Sequence, residues 1–538
     1  MSQEQNVPDG SSYDIIIIGT GAGGGTLAHA LAPSGLRILL VERGEFLPRE
    51  RENWDAEAIF DQRRYLARET WYDKDDQPFS PYTHYWVGGN TKVYGAALLR
   101  MREHDFGEVQ HFGGVSPAWP ISYADLEPYY TAAERIYRVH GTRGADPHDP
   151  PASEAYRWRA VEHEPRIREL FDGIASLGYR PFPVPLGLRL PSDDDKHAAY
   201  RLSAFDGYPD LTEVKADAHV CAVRPALACP NVSILTGTVV LRLVTDTTGD
   251  CVREVIAQRG SATLRLRAHI VVLSCGAINS AALLLRSGNA THPRGLANSS
   301  GMVGRNYMTH QNGLFIAVTQ DRNPSKFQKT FGMTDFYRSA DDSPLPLGTI
   351  QLMGKPDRGT LEWLRGDRLP GMSIEQLQEH TIDFFLTAED LPDPENRIEL
   401  RADGGIRVRY TPNNTEAYDR LHAKLVGILG EVERRAGRRP PEILSSRLGV
   451  SGVSHQNGTL RLGVDPRTSV LDVNCKAHDV DNLYVVDGSF FPSSSAVNPS
   501  LTIMANALRV ADHLLDRMRV SVPASAQEHR VALQGVRA

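Results

Sequence analysis

The sequence predicts a mixed α/β (α+β) protein that combines a Rossmann-like nucleotide-binding domain with a second domain built on an antiparallel sheet. Three observations support this fold class. Residues 13–44 contain a complete βαβ unit with a glycine-rich turn, and another buried strand followed by a helical pattern begins at Ile270. Residues 321–450 contain segments in which apolar and polar residues alternate. Buried strands joined by helices are typical of a parallel sheet, and alternation is typical of antiparallel strands.

The βαβ unit opens with a β-branched apolar strand at residues 15–18. Gly19, Gly21 and Gly24 then fit the pattern G-x-G-x-x-G. The first glycine permits a tight turn, the second lets the backbone approach a pyrophosphate, and the third lets the following helix pack closely on the strand. We assign Ala22 to the start of that helix, where unpaired N–H groups and the positive end of the helix dipole favour a phosphate.

A second apolar strand, Ile38 to Val41, ends at Glu42, roughly 20 residues after the glycines. A carboxylate at this position can accept hydrogen bonds from both ribose hydroxyls of a dinucleotide. An acidic residue also disfavours a 2′-phosphate, so the pattern argues against NADP. We assign Arg43, the next residue, to the same cofactor site.

Composition places the chain among ordinary globular proteins. The 538 residues are 41% hydrophobic and 23% charged, and the length predicts about two to four folded units. The net charge of −7 offers no basic face, so we expect no nucleic-acid partner. The sequence contains no apolar run of the roughly 20 residues that a bilayer requires, and its first residues lack a signal-peptide pattern. We therefore expect a cytoplasmic protein with no membrane association.

The cysteines argue against a disulfide framework and against a metal site. They number five, which is few and odd, and they show no CxxC spacing. We expect reduced, mostly buried thiols and no bound metal.

The chain divides by composition into a discontinuous nucleotide-binding domain and a second domain. We assign residues 1–140, 216–320 and 451–518 to the nucleotide-binding domain, 141–215 to an insertion or lid, 321–450 to a substrate-binding domain, and 519–538 to a tail. Both ends of the chain lack periodicity, so we expect loose tails there.

Local patterns predict the elements of these segments. Residues 143–153 are rich in Pro, Gly and Asp, which indicates a linker or surface loop. Arg157 to Gly178 shows a charged helical pattern, and Tyr179 to Leu190 reads as proline-rich extended chain. From Val232 the segments VSILTGTVVLRLV, REVIAQ and LRLRAHIVVLSCGA indicate an antiparallel meander that ends in a buried strand.

The second domain should contain long antiparallel strands. The segments LGTIQLMG, TIDFFLTAED and RIELRADGGIRVRY alternate, which predicts one sheet with one exposed face. A helix from Glu416 to Arg435 should follow. A long apolar helix should end the fold before residue 518.

Five segments together carry a specific family resemblance. They are the βαβ unit with Glu42, WVGGNTKVYG from Trp86, LSCGAINSAALLLRSG from Leu273, VGRNYMTH from Val303, and the stretch from His455 to Asp512 that contains HQNGTLRLG, NLYVVDGS and AVNPSLTIMANAL. In this order they resemble the motifs of the glucose-methanol-choline (GMC) oxidoreductase family. The resemblance spans nearly the whole chain.

The resemblance implies FAD as the cofactor. Besides the βαβ residues, it assigns to the cofactor site Gly88, Gly89, Asn90, Thr91, Val239, Cys275, Gly276, Asp487, Gly488, Asn498, Pro499 and Thr502. The carboxylate of Asp487 and the amides near it would meet the pyrophosphate and ribityl chain. Thr502 and its neighbours, at the start of the last helix, would lie near the flavin pyrimidine ring. Without the motif, Asp487 would equally well be an ordinary turn residue.

The resemblance also assigns catalysis to His455 and Asn498, which in the family face the N5 edge of the flavin. A neutral imidazole suits removal of the hydroxyl proton, and an amide can donate a hydrogen bond to the developing alkoxide. The hydride would pass to flavin N5. We expect structural roles for His310 and His478, and a weaker link to the substrate pocket for His84.

One departure from the family pattern concerns the flavin linkage. Members with covalent flavin carry a histidine four residues after the second glycine of the GG loop, where this chain has Val93. Valine offers no nucleophile, so we expect non-covalent FAD. The Asn that usually follows is Tyr94 here, which puts any flavin contact of that Asn in doubt.

The segments GGNTKVYGAALLR and WPISYADLEPYY resemble bacterial pyranose oxidases and C-glycoside 3-oxidases. This resemblance implies oxidation of a secondary ring hydroxyl of a pyranose or glycoside, at carbon 3 rather than carbon 2. Gln351, Lys355 and Asp383 could supply polar groups to a sugar pocket. Residues 327–337 read as a substrate loop or an edge strand, and an aromatic aglycone would contact the loop around Phe331. A cation site would need an aromatic cage and a carboxylate, and the sequence alone identifies neither.

Two other functions stay open at this point. One is a GMC dehydrogenase for non-sugar alcohols, and the other is a non-redox lyase in which FAD is structural. The electron acceptor, O2 or a quinone-type compound, and the oligomeric state are also open.

Overall fold

A computed structural model of the chain describes residues 12–190, 205–452 and 455–520. Its helices are α1 Ala22–Leu31, α2 Tyr123–Ile136, α3 Pro165–Ser176, α4 Arg224–Leu227, α5 Ala277–Arg286, α6 Arg358–Arg365, α7 Ile374–His380, α8 Thr415–Arg435 and α9 Ser500–Met518. Within the described ranges, no helix combines the length and the apolar character needed to cross a membrane.

The strands are short and numerous. They are β1 Ser12–Ile18, β2 Ile38–Val41, β3 Trp71–Tyr72, β4 Pro78–Phe79, β5 Val109–His111, β6 Gly114–Ser116, β7 Val139–Gly141, β8 Trp158–Arg159, β9 Phe182–Pro183, β10 Leu186–Gly187, β11 Val232–Leu235, β12 Thr238–Thr245, β13 Val252–Arg259, β14 Ala262–Leu273, β15 Gln311–Val318, β16 Phe331–Met333, β17 Thr349–Leu352, β18 Thr381–Ala388, β19 Arg397–Leu400, β20 Ile406–Arg409, β21 Glu442–Arg447 and β22 Leu483–Val485.

The first sheet confirms the predicted Rossmann-like domain. Its order is β11-β2-β1-β14-β13-β12, with β22 also paired to β14. Strands β11, β2, β1, β14 and β22 run parallel, and Ile15 pairs with both Ile38 and Ile270. The isoleucines of β1 are almost fully buried, as expected for a strand covered on both faces. The carboxyl ends of these strands therefore meet at one edge of the sheet.

The predicted meander is present, but the prediction of its first strand is wrong. VSILTGTVVLRLV is two strands: β11 extends the parallel half beside β2, and β12 begins the antiparallel half with β13 and β14. The break lies at Gly237, whose N–H donates to the carbonyl of Gly44 at the end of the βαβ unit. A local pattern does not show that two adjacent apolar runs pair with different neighbours.

The second sheet has the order β21-β15-β18-β17-β16-β9 and is antiparallel throughout. One face packs on α3 and α8, with Phe315 and Phe384 in its core. On the other face, Ile316 and Leu444 pack against α6 and α7, and Phe385 borders a large cavity. The prediction of an exposed face is therefore wrong, because α3 and α8 cover one face, and α6, α7 and the cavity wall lie on the other.

Two further sequence predictions need correction. RIELRADGGIRVRY does not join the second sheet: β19 and β20 form a four-stranded sheet with β3 and β4. The helix predicted from residue 157 begins only at Pro165, because Trp158–Arg159 pairs with β7 and proline is tolerated in a first helical turn. By contrast, α8 matches its prediction to within one residue.

The domain boundaries stay a prediction, although sheet membership bears on two of them. Strand β15 lies within residues 216–320 but pairs in the second sheet. The segment 141–215 supplies β9 to that sheet and β10 to a small sheet with β7. Residues 191–204 of that segment, 1–11 of the predicted amino-terminal tail and 521–538 of the carboxyl-terminal tail lie outside the described residues.

Candidate active site

A cavity of about 560 Å³ lies between the carboxyl edge of the parallel sheet and the second sheet. Open α/β sheets bind ligands at this edge. Most of the residues predicted for cofactor, catalysis and substrate line it: Gly19, Gly21, Ala22, Glu42, Arg43, Gly89, Asn90, Thr91, Val239, Cys275, Gly276, Gln351, Lys355, His455, Asp487, Gly488, Asn498 and Pro499. Four predicted residues, Gly24, Gly88, Asp383 and Thr502, do not line it.

The first glycine turn forms a cradle that has room for backbone atoms only. A Cβ atom on Gly24 would lie 2.1 Å from the carbonyl oxygen of Gly19, and one on Gly23 would lie 2.0 Å from that of Val486. Gly24 therefore acts as predicted, through close helix packing and not through ligand contact. Helix α1 follows Gly21 with no side-chain cap. Its first N–H groups lie at the cavity edge and fit the pyrophosphate of a dinucleotide.

The second glycine loop packs on the first. The Cβ of a side chain at Gly89 would lie 3.0 Å from the Cα atom of Gly21. The N–H of Gly88 donates to Thr20 Oγ1 (3.1 Å), and that hydroxyl donates to Glu42 Oε2 (2.6 Å). Gly88 thus holds the loop in place from behind and does not face the cavity.

Glu42 lies at the end of β2 as predicted and receives three hydrogen bonds. They come from the N–H and hydroxyl of Thr20 and from the N–H of Gly44. A carboxylate has about four acceptor sites, so capacity remains for a ribose hydroxyl. Burial raises the pKa of Glu42, while these hydrogen bonds oppose that rise.

The carboxylate of Asp487 binds protein groups and not, as expected, the cofactor. It accepts hydrogen bonds from Gly276 N–H (3.0 Å), from Ser280 Oγ (2.5 Å), and from the N–H and hydroxyl of Ser489. All four acceptor sites are occupied by protein donors. Asp487 therefore braces the Gly276 turn against the Gly488 turn, and the two turns present their backbone to the cavity.

The start of α9 also differs from the expectation in one residue. The hydroxyl of Thr502 lies 2.7 Å from the hydroxyl of Tyr130 in the protein core. Pro499, Ser500 and Ile503 are the residues of this helix start that line the cavity. The helix terminus faces the cavity as predicted, but the Thr502 side chain does not.

The GG loop ends in Val93 and Tyr94, which both line the cavity. The hydroxyl of Tyr94 donates to the carbonyl of Ala216 (2.6 Å), so it anchors the loop to a neighbouring segment. Val93 presents only methyl groups. Neither side chain offers a nucleophile to a flavin ring.

A chain of hydrogen bonds fixes the tautomer of His455. His310 Nε2 lies 3.0 Å from the carbonyl oxygen of Ser494, and a carbonyl can only accept, so this nitrogen carries the proton. Burial lowers the pKa of His310 and keeps its ring neutral, which leaves Nδ1 as an acceptor. His455 Nδ1, 3.0 Å away, must then donate to it. The lone pair of His455 is consequently on Nε2.

Asn498 is oriented by a partner on the second sheet. Gln351 Nε2 donates to Asn498 Oδ1 (3.0 Å), which turns Asn498 Nδ2 toward His455 Nε2 (3.4 Å). The amide of Asn498 is therefore a donor beside the lone pair of the imidazole. The two residues predicted for catalysis lie together at the cavity wall.

Burial also lowers the pKa of His455 well below its usual range, and the neighbouring His310 and Lys329 lower it further. The imidazole is open to the cavity but surrounded by protein. It is therefore neutral at physiological pH. A neutral imidazole with an unprotonated Nε2 can accept a proton from a bound hydroxyl group.

Comparison with known proteins identifies the family. The amino-terminal and carboxyl-terminal family models that match the chain are both described as GMC oxidoreductase, and they cover residues 13–312 and 432–507. The chain belongs to the GMC oxidoreductase family. It is thus an oxidoreductase that acts on CH–OH donors. The expectation of FAD as the cofactor is confirmed by this membership, and the glycine cradle and Glu42 fit it.

Two relatives match over nearly their full length. The 6'''-hydroxyparomomycin C oxidase of Streptomyces lividus is 35% identical over 93% of this chain and 92% of its own. The paromamine 6'-oxidase of Streptomyces fradiae is 32% identical over 94% of this chain and 91% of its own. A solved structure, pyridoxine 4-oxidase from Mesorbium loti, shares the fold with a TM-score of 0.65 at 19% identity, covering 93% of this chain and 99% of that one.

The structure separates the three polar residues suggested for the sugar pocket of this GMC protein. Gln351 lines the cavity and orients Asn498. Lys355 also lines it, but its Nζ donates to the carbonyls of Gln378 and Thr381, and burial lowers its pKa. Asp383 is fully buried behind the wall and accepts hydrogen bonds from Gln328 and Thr381. The suggestion of Asp383 as a substrate contact is therefore wrong.

The expected contact of a substrate with the loop around Phe331 is also wrong. Phe331 is fully buried in the core of the second sheet, where β16 pairs with β9 and β17. The same segment instead sends Lys329 to the cavity wall, where its Nζ lies 2.8 Å from Asp206 Oδ1. The sequence prediction chose an aromatic side chain of this segment as the substrate contact, whereas the side chain at the cavity wall is that of Lys329.

Several wall residues carry no signal in the sequence. Phe60, Tyr82, Asp206, Tyr208 and Asp357 come from four separate segments and meet only in the folded protein. Their spacing in the sequence therefore could not predict that they lie in one site. His310 differs, because it ends the motif VGRNYMTH, and that position was the available signal for its contact with His455.

Proposed function

We propose that this protein is an FAD-dependent enzyme that oxidises a hydroxyl group of a sugar or aminoglycoside-type substrate. The observation that carries the proposal is the unprotonated Nε2 of His455, which lies 3.4 Å from the Asn498 amide at the wall of a cofactor-sized cavity. Both Streptomyces relatives are named as oxidases of such compounds.

His455 and Asn498 divide the proton chemistry between them. His455 Nε2 takes the hydroxyl proton of the substrate, and Asn498 Nδ2 donates a hydrogen bond to the alkoxide that forms. FAD, when bound, would supply the two-electron oxidant for the carbon that bears this hydroxyl, and O2 or a quinone-type acceptor would receive the electrons in turn. The alcohol loses one proton and one hydride and becomes a carbonyl group.

We propose that the FAD is held without a covalent bond. Val93 occupies the position of the linking histidine, and the hydroxyl of Tyr94 is engaged with Ala216. Acid precipitation of the holoenzyme should leave a yellow supernatant over a colourless pellet. A yellow pellet would contradict this proposal.

Two positions on the sugar compete for oxidation. The resemblance to pyranose-oxidising enzymes favours a secondary ring hydroxyl, at carbon 3 before carbon 2. The name paromamine 6'-oxidase favours the hydroxyl at carbon 6'. Because that relative is 32% identical over most of both chains, we propose carbon 6' as the first position to test and ring carbon 3 as the second.

Anaerobic mixing of the holoenzyme with paromamine, glucose, a glucoside and simple alcohols tests the function. We expect the flavin absorbance to bleach with a sugar-type substrate, and product NMR to identify the oxidised carbon. Bleaching by simple alcohols alone would indicate the non-sugar dehydrogenase. An unbleached flavin with every alcohol, together with cyanohydrin cleavage, would indicate the lyase.

A further inference from the structure

One end of the cavity is walled by three aromatic residues from three separate segments. Phe60 and Tyr208 meet edge to face, with ring centroids 5.1 Å apart. The third aromatic residue, Tyr82, borders the same part of the cavity: a Cβ placed on Gly207 would lie within 3.2 Å of both Phe60 and the Tyr82 hydroxyl. Phe60, Tyr82 and Tyr208 all line the cavity.

Two carboxylates lie at the same end. Burial, and then the charges of Asp206 and Asp357, raise the pKa of Tyr82 to about 12. Burial and Asp357 likewise raise the pKa of Tyr208. Asp357 therefore acts on both tyrosines, and it lines the cavity with Asp206.

The two carboxylates differ in how they are neutralised. Asp206 is paired with Lys329 (2.8 Å) and also accepts from the N–H of Gly354. Among the residues that the structure describes, the Asp357 side chain accepts hydrogen bonds only from the N–H and hydroxyl of Thr360, as the N-cap of α6. Among the described residues, no Lys, Arg or His side chain forms an ion pair with Asp357, although it is 8% exposed. The N-terminus of α6 stabilises the Asp357 carboxylate, whose negative charge can still pair with a cationic ligand.

An unpaired acceptor lies beside this group. His84 packs edge to face on Tyr82, with ring centroids 5.2 Å apart, and lines the cavity. Burial lowers the pKa of His84 to about 4, so its ring is neutral. Its Nδ1 donates to the carbonyl of Tyr65 (3.1 Å), which leaves Nε2 as an acceptor, and within the described part of the chain this buried atom has no hydrogen-bond partner.

We propose that Phe60, Tyr82, Tyr208 and Asp357 form a cage for a protonated amino group of the substrate, so that the enzyme prefers amino sugars to neutral sugars. The aromatic rings attract a cation, and Asp357 supplies the opposite charge. The proposal rests on the proposed function, because the cage is one end of the same cavity.

The position of the cage suits this role. Asp206 connects it to Lys329, and Lys329 is near enough to His455 to lower its pKa. An amino sugar held in the cage can therefore place another part of the same molecule near His455. A neutral sugar would leave the charge of Asp357 without a partner in the closed site.

The replacement Asp357→Asn removes the charge and keeps the helix cap, because Asn caps helices as well as Asp does. The probes are paromamine and the same compound with its amino groups acetylated, titrated by calorimetry under anaerobic conditions into holoenzyme whose FAD has first been reduced with dithionite, so that no turnover can occur. We expect Asp357→Asn to weaken paromamine binding roughly 10- to 100-fold, the range for one hydrogen bond to a charged group, and to change binding of the acetylated compound little. Tyr82→Phe, which keeps the ring, should weaken paromamine binding less.

Asp367→Asn is the matched control, since it makes the same charge change at an exposed residue just after α6. It should bind both compounds as the wild type does. Equal binding of paromamine to wild type and Asp357→Asn, equal weakening of both compounds, or no binding of paromamine to the wild type would each overturn the cage. Binding is read without turnover, so a protein that binds paromamine through Asp357 but reduces no flavin would contradict the proposed function and leave the cage intact.

Discussion

The two ends of the cavity are built in opposite ways. The cofactor end is formed by short contiguous motifs: the turns at residues 19–24 and 487–488 lie at strand ends of one parallel sheet, and the loop at residues 88–91 packs on the first turn. The substrate end is assembled from side chains far apart in the chain, such as Tyr82, Asp357 and His455. The first end depends on backbone shape and the second on side-chain chemistry.

This difference has a physical reason. A pyrophosphate is bound by backbone N–H groups, so the protein needs glycines at fixed spacing and has little freedom to vary them. A sugar is bound by side chains, which any nearby strand or loop can supply. Substitutions at the cofactor end should therefore abolish FAD binding. Substitutions at the substrate end should leave the protein folded and change its reaction rates and its affinity for the substrate.

Gly23→Ala should have the largest effect. Its Cβ would lie 2.0 Å from the backbone oxygen of Val486, so α1 and the strand end must separate. We expect loss of bound FAD and a lower melting temperature, measured by flavin absorbance and thermal unfolding. Gly427→Ala in the exposed part of α8, where a Cβ meets nothing within 4 Å, is the control and should raise stability by up to about 1 kcal/mol. A Gly23→Ala protein with normal FAD content would refute the rigid cradle.

His455→Ala and Asn498→Ala should leave FAD bound and slow its reduction. We expect a loss of roughly 10²-fold or more for the base and about 10²-fold for the hydrogen-bond donor. Stopped-flow absorbance under anaerobic conditions measures both rates. If either variant reduced flavin at the wild-type rate, its assigned role would be wrong.

His310 should act through His455 and not on the substrate itself. His310→Leu removes the acceptor for His455 Nδ1 and should slow flavin reduction roughly 10- to 100-fold, with little change in substrate affinity. His310→Asn should restore much of the rate, because Asn can accept from His455, donate to Ser494, and tolerate the left-handed backbone at this residue (φ 61°). Equal loss in both variants would indicate a purely structural role.

Much of the fold could be predicted because its strongest patterns are local. The strand Ile38–Val41 and the helix Thr415–Arg435 agree with the sequence prediction to within one residue. Pairing between distant strands could not be predicted: β19 and β20 alternate like the strands of the second sheet, yet they join β3 instead. Charged residues 157–164 resembled a helix, but strand pairing and Pro165 delay its start.

The same distinction applies to the site. The glycines, Glu42, His455 and Asn498 were found because they lie in short motifs. Asp383 was misplaced, because one alternating strand pattern does not say whether a polar residue faces a cavity or a buried glutamine. The proposed cage of aromatic and acidic residues was not predicted, because its members lie far apart in the sequence.

The most direct test of the central claim is the pH dependence of flavin reduction by paromamine, measured anaerobically. A base is active when it is unprotonated, and the pKa of His455 is lowered well below 6.5 by burial and by the neighbouring His310 and Lys329. The account predicts a rate constant that stays level as the pH falls from 8 to about 6 and declines only well below 6.5. A decline centred at 6.5 or above, or no reduction of the flavin at any pH, would contradict it.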